Sequence, residues 1–453
     1  MKVVKFGGTS LASGEQLKKV FEIVVSDSQR KVVVVSAPGK RFSSDTKVTD
    51  LLIACGESWL NGDCDQYLFD MVIDRYRLIA EELSITSSVV DRIQADLLEI
   101  LSGDMTEKGQ FMDAVKASGE DNNAKLVAAY FQARGVDAEY VNPREAGLIV
   151  SDEPGNAQVL KESYDNLFHL RDKKGIVVFP GFFGYTNDGK VMTFPRSGSD
   201  ITGAILANAV KADLYENYTD VDAVFSVNPT IVTNPKEIQI LTYREMRELS
   251  YAGFSVLHDE ALIPAFRAGI PVNIKNTNNP SSKGTMIVNE KELTNGPVVG
   301  IASDNDFCSI YVSKYLMNRE IGFGRKLLQI LEELELSYEH VPSGIDDLTV
   351  ILRQTQLDSE LEGIITNRIK EELQADEVKV EHNLSLIMIV GEGMRSNVGT
   401  VARASKALAN AGINIEMVNQ GSSEVSMMFG VKEPHEKRAV AALYNEFFTS
   451  VTV

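Results

Sequence analysis

The chain has 453 residues, a length that predicts about two to four domains, each with its own hydrophobic core. Apolar residues make up 44% and charged residues 24% of the chain, close to the averages of soluble globular proteins. The formal net charge of −19 excludes a global field that attracts nucleic acid or an anionic membrane. Any phosphate site must therefore be local.

The cysteines predict a reducing compartment. Cys55, Cys64 and Cys308 are an odd number without the spacing of a metal site, so we expect free thiols. We also expect neither a signal peptide nor a membrane span, since the charged Lys2 and Lys5 interrupt the first apolar residues and no apolar run approaches ~18 residues. We predict a cytoplasmic protein without a nucleic-acid or membrane partner.

The first element is a strand that ends in the segment 5–10, which reads Lys-Phe-Gly-Gly-Thr-Ser. Ser13 then opens a capping-box pattern and a helix with one apolar face. A strand, a glycine pair and a helix start predict an anion cradle, where backbone N–H groups and Lys5 contact phosphate oxygens. The alternative is an ordinary tight turn under a surface lysine.

The next residues predict a buried strand and several helices. The continuous apolar run 31–38 is typical of a strand inside a parallel sheet, and the polar loop 39–47 follows it. Thr49 and Asp50 are expected to cap the helix after this loop. Helices are predicted within 65–118 and, separately, over 122–134.

Strand and helix patterns continue to residue 287. A strand is predicted at 138–141 and a buried strand at 175–184, while Asp188-Gly189 indicates a hairpin turn. A helix of small residues is predicted over 201–210. The alternation predicts an α/β domain over residues 1–295, with a mainly parallel central sheet between helices.

The pattern changes near residue 296. A degenerate repeat follows, in which Gly324 and Gly399, 75 residues apart, precede similar helices. Each copy predicts a ferredoxin-like β-α-β-β-α-β unit, one over 296–380 and one over 381–453. Two such units behind an α/β domain suggest a sensor attached to a catalyst.

Motifs in the same order make the chain similar to the aspartate kinases of the amino-acid kinase family. The matches are 5–10, Val-Ser-Ala at 35–37, Thr-Asp-Leu-Leu at 49–52, Gly119-Glu120, Arg-Ser-Gly-Ser-Asp at 196–200, Tyr-Thr-Asp-Val-Asp at 218–222 and Val-Leu-His at 256–258. The two C-terminal units resemble paired ACT domains. The resemblance covers essentially the whole chain.

The resemblance implies the amino-acid kinase fold and transfer of the γ-phosphoryl group of ATP, with Mg²⁺, to the side-chain carboxylate of L-aspartate. This reaction opens the pathway to lysine, threonine and methionine. Lys5 is the expected contact of the transferring phosphoryl group, and Asp200 would hold Lys5 in position. The alternative for Asp200 is a plain helix N-cap.

The resemblance also implies two sets of ligand contacts. For aspartate, Arg196 suits the α-carboxylate and Glu120 the α-amine, and the other expected contacts are Ser36, Thr49, Phe182 and Ser199. Taken alone, such Arg and Glu residues are usually solvated surface groups. The expected nucleotide contacts are Lys5, Gly7, Gly8, Thr9, Ser10, Thr219, Asp220, Phe225 and Lys275; for Thr219 and Asp220 a strand-end turn is the alternative.

The chain departs from the family pattern at three positions. Ser197 stands where a second glycine is usual, Ser255 where a lysine often precedes Val-Leu-His, and Thr230 where an arginine is usual. Two cations expected near ATP are thus missing, and we hypothesise that Lys275 replaces one of them. The loop 39–47 is also longer than the pattern predicts.

The first ACT-like unit is expected to bind an amino-acid inhibitor, with lysine as the first candidate, between two units. The matching residues are Met317, Gly322, Phe323, Gly324, Ser337, Tyr338, Glu339, Ser343 and Asp346. Glu339 and Asp346 could pair with a side-chain ammonium of the effector, against the alternative of a solvated turn. The second-unit set (Val398, Gly399, Asn414, Gln420, Ser422) predicts a dimer contact, and we expect a homodimer or larger assembly through the ACT units.

Two other functions compete with this interpretation. Another amino-acid kinase, for glutamate or acetylglutamate, would usually lack the paired ACT units. A non-catalytic sensor with a decayed kinase domain is favoured only by Ser197, Thr230 and Ser255, and opposed by Lys5, Glu120, Arg196 and Asp200. The length predicts a monofunctional enzyme and not a fusion with a homoserine dehydrogenase.

Overall fold

A computed structural model of the protein describes residues 1–254, 259–292, 296–421 and 425–449. The chain divides into two compact units. The first contains residues 1–224, 237–247 and 259–291, and the second contains 225–236, 248–254 and the described residues from 292 onward.

The first unit is built on an eight-stranded sheet. The strands up to residue 288 are β1 (Lys2–Phe6), β2 (Arg30–Val35), β3 (Ala138–Tyr140), β4 (Ile176–Pro180), β5 (Phe183–Tyr185), β6 (Val191–Thr193), β7 (Leu214–Thr219), β8 (Val224–Phe225), β9 (Glu237–Ile238), β10 (Ile240–Thr242), β11 (Val272–Asn276) and β12 (Thr285–Val288). The sheet order is β10-β12-β11-β7-β1-β2-β4-β3, and only the β11–β12 pairing within it is antiparallel. The predicted mainly parallel sheet is confirmed.

Helices cover both faces of this sheet. They are α1 (Gly14–Val25), α2 (Val48–Leu60), α3 (Gln66–Leu83), α4 (Ser88–Leu101), α5 (Lys108–Ala133), α6 (Pro143–Ala146), α7 (Glu162–Leu167), α8 (Gly198–Ala209), α9 (Tyr243–Tyr251) and α10 (Ile263–Ala268). Because side chains alternate along a strand, Val4 and Phe6 enter the core with α1 and α5, whereas Lys5 faces α8.

One predicted helix boundary is confirmed and two helix predictions are wrong. Ser13 caps α1 as predicted, since its side chain accepts the N–H of Gln16 at 3.3 Å. However, α2 already begins at Val48, so Thr49 lies in its first turn and does not cap it. The helices predicted on either side of residue 120 form one 26-residue helix, α5. Gly119 lies inside this helix without interrupting it. Its role is close packing, since a Cβ there would lie 3.0 Å from Ala37 and from Leu52.

The second unit contains a five-stranded antiparallel sheet with helices. Its strands are β13 (Gly300–Ser313), β14 (Asp347–Arg353), β15 (Glu377–Val390), β16 (Met417–Asn419) and β17 (Ser426–Lys432), in the order β14-β13-β15-β17-β16. Its helices are α11 (Phe323–Glu333), α12 (Ser359–Leu373), α13 (Thr400–Asn410) and α14 (Glu436–Tyr444). All pairings in this sheet are antiparallel.

Two long strands, β13 and β15, serve both halves of this unit. The second half of β13, with Ile310 and Val312, packs against α11 and α12. The first half, with Ile301, packs instead in the core of α13 and α14, where Ile387 of β15 also lies. The predicted boundary at residue 381 therefore falls inside β15.

The internal repeat has a different offset from the one predicted. The N-caps of α11 and α13 are Gly322 and Gly399, with φ angles of 82° and 92°. Both occupy the left-handed region that glycine adopts without a side-chain penalty. The alignment of Gly324 with Gly399 is therefore wrong by two residues. The residue before each N-cap, Ile321 or Val398, is fully exposed.

Candidate active site

An ion pair between Lys5 and Asp200 forms the centre of the candidate site. Lys5 lies near the end of β1, and its Nζ atom is 2.6 Å from Oδ1 of Asp200 in the first turn of α8. Both residues are buried. The alternative of Asp200 as an N-cap is wrong, because α8 begins at Gly198 and the N-cap is Ser197. This arrangement is the one expected when a carboxylate holds a lysine in position.

Asn217 joins this pair, although no sequence motif predicts it. It lies opposite Lys5 in the parallel register of β7 with β1, and its Nδ2 donates to Oδ1 of Asp200 at 2.8 Å. Its Oδ1 lies 3.5 Å from Nζ of Lys5. The available signal was the pair Glu216-Asn217 in an otherwise apolar and aromatic strand, since polar residues in a buried strand need partners.

Glu120 supplies an acidic group beside the ion pair. It is buried in the middle of α5, and desolvation raises the pKa of its carboxyl group to about 8, although hydrogen bonds with Ala37 and Ser199 and the charge of Lys5 act in the opposite direction. Its Oε2 atom is buried without a hydrogen-bond partner among the described residues. An unpartnered buried carboxylate oxygen suits an incoming ammonium group.

The other predicted aspartate contacts lie on three segments of the first unit. Ser199 is buried at the start of α8 and packs on Gly181, where a Cβ would lie 2.6 Å from the serine Oγ. Ser36 and Thr49 are half-buried at the two ends of the loop after β2. Arg196 is exposed in the turn before α8, so its guanidinium is accessible to a ligand.

Two residues with left-handed backbone flank the start of α8. Phe182 has a φ of 77° and Ser197 a φ of 60°. The N–H of Phe182 donates to Oγ1 of Thr202 at 2.9 Å, and its ring leaves no space for a side chain at Gly198, where a Cβ would lie 2.5 Å from the ring. Such conformations cost about 1–3 kcal/mol each and persist where surrounding contacts hold them.

The glycine pair differs from the expected anion cradle. The N–H of Gly7 donates to the carbonyl oxygen of Tyr218 at 3.1 Å, so the expected donation from Gly7 to phosphate is not available without breaking this bond. The hydroxyl of Ser10 is likewise engaged, 2.7 Å from that of Thr277 in the interior. A short 3₁₀ turn, Gly8–Leu11, follows the strand, and α1 begins only at Gly14. Thr9 is exposed.

The predicted nucleotide contacts do not all come together. Thr219 is half-buried at the end of β7 and donates to the exposed Asp220 at 3.1 Å. Phe225 belongs to the second compact unit. Lys275 pairs in register with Tyr218 and not with Asn217, so it lies on the sheet face opposite to Lys5.

The surroundings of Lys275 shift the pKa of its ammonium group. Burial lowers the pKa of its ammonium group, and the charge of Glu216 partly compensates. Glu216 in turn holds Arg30 through two hydrogen bonds of 2.6 and 3.1 Å. Lys275 is thus close to the Arg30–Glu216 pair, and the hypothesis that it replaces a cation near ATP gains no support from its position.

Two departures from the family pattern have different outcomes. The N–H and hydroxyl of Thr230 both donate to Oδ1 of Asn228, at 3.0 and 2.8 Å, so this segment forms a compact turn without a cation. It belongs to the second unit, where Ile231 packs against the core cluster that contains Val227. Ser255 and the segment 256–258 lie outside the described residues.

The predicted effector residues divide between the two ends of β14. Asp346 directly precedes the strand, whereas the N–H of Glu339 donates to the carbonyl oxygen of Ile351 near its end, and Ser337 contacts Gln356 beyond that end. Met317 and Phe323 are buried in its core, whereas Tyr338 and Ser343 are exposed. The remaining members are half-buried or exposed: Gly322, Gly324, Ser337, Glu339 and Asp346. Ser337 donates through its N–H and its hydroxyl to Gln356, at 3.0 and 2.8 Å.

Both acids of this set already have partners. Glu339 accepts a hydrogen bond from the hydroxyl of Tyr251 and lies 3.5 Å from Nε of Arg353. Asp346 accepts the N–H of Leu316 at 2.8 Å. An effector ammonium would therefore have to share or displace these contacts.

The corresponding set in the other half is only partly described. Val398 is exposed before the N-cap Gly399, and Asn414 donates to Glu416 at 3.0 Å. Gln420 is exposed. Ser422 lies outside the described residues.

The described residues contain neither a metal-binding cluster nor a membrane-spanning helix. In residues 1–254, 259–292, 296–421 and 425–449, no three His, Cys, Asp or Glu side chains are arranged to hold a metal ion. None of the described helices is long and apolar enough to cross a membrane. The three cysteines are free thiols.

Comparisons with known proteins agree on one family. The amino acid kinase family model matches residues 1–276, and an ACT domain model matches residues 387–447. The chain is 68% identical over 453 residues to "Aspartokinase 3" of Bacillus subtilis, with all of both chains covered. It is 29% identical to "Aspartokinase 1, chloroplastic" of Arabidopsis thaliana, over 99% of this chain and 80% of the relative.

Solved structures give the same result. The aspartate kinase of Clostridium acetobutylicum superposes with a TM-score of 0.87 at 38% identity, covering 99% of this chain and all of that one. Aspartokinase III of E. coli, solved with aspartate and ADP, superposes with a TM-score of 0.77 at 24% identity, over 99% of this chain and all of that one. At that identity the likeness concerns the fold alone.

Proposed function

Since the chain belongs to the amino acid kinase family, we infer that it is an aspartate kinase, which transfers the γ-phosphoryl group of ATP to the side-chain carboxylate of L-aspartate. The products are 4-phospho-L-aspartate and ADP. The observation that carries this inference is the buried Lys5–Asp200 pair beside Glu120, whose Oε2 has no partner among the described residues. The name of the 68% identical relative supports the same reaction.

The acceptor requires no general base. The side-chain carboxyl group of aspartate has a reference pKa near 3.9, so it is ionised at neutral pH and already nucleophilic. The barrier comes from bringing two anions together, and positioning and charge neutralisation must therefore supply the catalysis. Lys5 is the group that neutralises the transferring phosphoryl oxygens, and Asp200 and Asn217 hold its ammonium in place.

Aspartate would be held by charges of both signs. The buried carboxyl group of Glu120 accepts the α-ammonium group, while Arg196, exposed before α8, offers a planar fork to the α-carboxylate. Ser36, Thr49 and Ser199 provide hydroxyl groups, and Phe182 provides an apolar wall. These roles are proposals supported by burial, charge and position.

ATP would bring its own magnesium. When bound with ATP, Mg²⁺ would supply positive charge to offset the negative charge of the phosphates. Gly8, Thr9, Thr219 and Asp220 remain the proposed contacts of the nucleotide in the first unit. The other four predicted nucleotide contacts have less support. The amide of Gly7 and the hydroxyl of Ser10 already have hydrogen-bond partners. Phe225 belongs to the second unit, and Lys275 lies on the sheet face opposite to Lys5.

The second unit is the proposed site of regulation and assembly. We propose that an amino acid, with lysine first, binds at the effector residues of the second unit and inhibits the enzyme. A structure of E. coli aspartokinase III contains lysine and aspartate, which supports lysine as the first effector to try. A homodimer through the ACT units and a cytoplasmic location with reduced thiols complete the proposal.

The decisive experiment measures ADP formation from Mg-ATP with and without L-aspartate, and repeats it with L-lysine and L-threonine. We expect aspartate-dependent ADP, and a loss of about 10²–10³-fold in kcat for Lys5→Met, because a charge-stabilising donor is removed. Lys31→Met is the matched control, a lysine on the neighbouring strand whose hydrogen bond among the described residues goes to the backbone carbonyl of Lys174. Absence of aspartate-dependent ADP with clear amino-acid binding would favour the decayed sensor.

A further inference from the structure

The loop of residues 39–47, which joins β2 to α2, is in direct backbone contact with the glycine pair. The N–H of Gly39 donates to the carbonyl oxygen of Gly8 at 2.8 Å. The two segments are so close that a Cβ on Gly39 would lie 2.5 Å from the carbonyl carbon of Gly8. A shift of this loop therefore moves Gly8.

A buried arginine on α3 holds the loop. Arg75 is 4% exposed, and its guanidinium donates to the carbonyl oxygens of Gly39 and Thr46, at 3.0 and 2.9 Å, and to Oδ2 of Asp45 at 2.8 Å. The loop residue Arg41 binds the same carboxylate, and both arginines hold the pKa of Asp45 well below its usual range. Both ends of the loop are thereby attached to one side chain.

The same face of α3 also contacts the other side of the glycine pair. Glu82 lies seven residues, or two helical turns, after Arg75, and its Oε2 accepts the N–H of Gly14 at 2.6 Å. Gly14 is the first residue of α1. The segment 8–13 therefore lies between two points that α3 holds, Gly39 through Arg75 and Gly14 through Glu82.

We propose that Arg75 is a positioning residue for the phosphate cradle, by which we mean the glycine pair Gly7-Gly8 and the turn that follows it. Arg75 orders this segment through Gly39 and Gly8. This rests on the proposed function, in which Gly8 contacts the nucleotide phosphates. An arginine suits the task because its rigid fork presents several donors at once, whereas the ammonium of lysine cannot span three separated acceptors. The loop also cannot move away without leaving a buried guanidinium unpaired, which is unfavourable.

The test compares ligands with and without phosphates. Arg75→Met and Arg75→Lys are assayed for inhibition by ADP and by adenosine, both against ATP, at temperatures well below unfolding. We expect Arg75→Met to weaken ADP at least tenfold and adenosine less than twofold, with Arg75→Lys between it and the wild type. Arg77→Met is the matched control, since Arg77 is exposed on the same helix and its ion pair among the described residues is with Asp74; its constants should equal those of the wild type.

Equal weakening of ADP and adenosine would overturn the proposal, because that is the result of general loosening. A folded Arg75→Met enzyme with unchanged ADP inhibition would overturn it as well.

If Arg75→Met does not fold, the comparison of Asp45→Asn with Arg75→Lys tests the proposal instead. Asp45→Asn keeps the bonds to Gly39 and Thr46, so it should change ADP inhibition less than threefold, and an effect as large as that of Arg75→Lys contradicts the backbone route. A wild-type protein without aspartate-dependent ADP would refute the function, while the comparison of ADP with adenosine would still test the cradle.

Discussion

Asn217 donates its side-chain amide to the same carboxylate oxygen of Asp200 that binds the ammonium group of Lys5, at 2.8 and 2.6 Å. One buried oxygen thus accepts two donors. When Lys5 turns a proton towards a phosphoryl oxygen, Asp200 keeps the amide of Asn217 as a partner. The amide therefore lowers the cost of sharing Lys5 with the substrate, because Asp200 is not left unpaired.

The first prediction concerns this amide. Asn217→Leu keeps much of the volume but removes both hydrogen-bonding groups, so the Lys5–Asp200 pair loses its third member. We expect kcat to fall about 10–100-fold, which corresponds to about 1.4–2.7 kcal/mol of lost transition-state stabilisation. The KM for aspartate should change less than threefold, because Asn217 does not contact aspartate in the proposed site.

A buried asparagine one strand away is the control for this variant. Asn273 lies in register with Glu216, on the face opposite to Lys5, and its Oδ1 has no hydrogen-bond partner among the described residues. Asn273→Leu should leave kcat near the wild-type value. Steady-state kinetics in both substrates test the pair of variants, and equal losses in the two would assign the effect to packing.

The second prediction is that aspartate binding releases a proton. Burial raises the pKa of Glu120 to about 8, so its carboxyl group is mostly protonated in the free enzyme at pH 7. The α-ammonium group of aspartate lowers this pKa by direct charge pairing. Calorimetric titration at pH 7 in buffers of different ionisation enthalpy should show release of most of one proton. Glu120→Gln should abolish it, and Glu99→Gln, at an exposed position on α4, should not.

The same carboxyl group predicts how stability depends on pH in the free enzyme. Its pKa in the folded protein, about 8, lies above the ordinary value of 4.5. The folded state then binds more protons than the unfolded state between these values, so the contribution is full below about pH 4.5 and is lost as pH rises through about 8. Between pH 5 and 8, the Tm of the wild type should fall relative to that of Glu120→Gln. Parallel curves would contradict the raised pKa.

Much of the fold follows from local patterns in the sequence. Continuous apolar runs such as 31–38 predict strands covered on both faces, and the structure places that run beside β1 at the sheet centre. The predicted turn at Asp188-Gly189 joins β5 and β6, with Gly189 at a φ of 85°. These features depend on a few neighbouring residues, which is why the sequence suffices for them.

The features that could not be predicted depend on register and on distant contacts. The face of Lys275 follows from its pairing with Tyr218, 57 residues away in the chain. Asn217 becomes significant only because β7 lies beside β1, which brings it next to Lys5. The amide of Gly7 is engaged by the carbonyl group of Tyr218 for the same reason. A motif identifies residue types, but not which of their polar groups are already bound.

The third prediction concerns the serine where the family pattern has glycine. Ser197 has a φ of 60°, a conformation that costs an L-residue about 1–2 kcal/mol, whereas glycine adopts it freely but loses more entropy on folding. Ser197→Gly should therefore raise the unfolding free energy by about 0.5–1 kcal/mol and Tm by about 1–3 °C. The control is Ser87→Gly, at the N-cap of α4 with an ordinary φ of −62°, which should be slightly destabilising. A lower Tm for Ser197→Gly would show that its side chain makes a stabilising contact.

The fourth prediction links effector sensitivity to the contact between Tyr251 and Glu339. The tyrosine hydroxyl donates to this carboxylate, so an effector ammonium must compete with it. Tyr251→Phe removes the competing donor and leaves Glu339 with Arg353 alone. We expect the lysine concentration for half-inhibition to fall about fivefold, or ~1 kcal/mol, which is typical of one hydrogen bond.

Inhibition curves at fixed ATP and aspartate measure this shift, with threonine as a second amino acid that lacks a side-chain ammonium. Its inhibition should not change in Tyr251→Phe, because threonine has no side-chain ammonium to pair with the freed carboxylate. Tyr67→Phe is the control, since Tyr67 is 70% exposed on α3. Weaker lysine inhibition in Tyr251→Phe would mean that the hydroxyl group orients Glu339 for the effector, and an unchanged curve would separate Glu339 from lysine binding altogether.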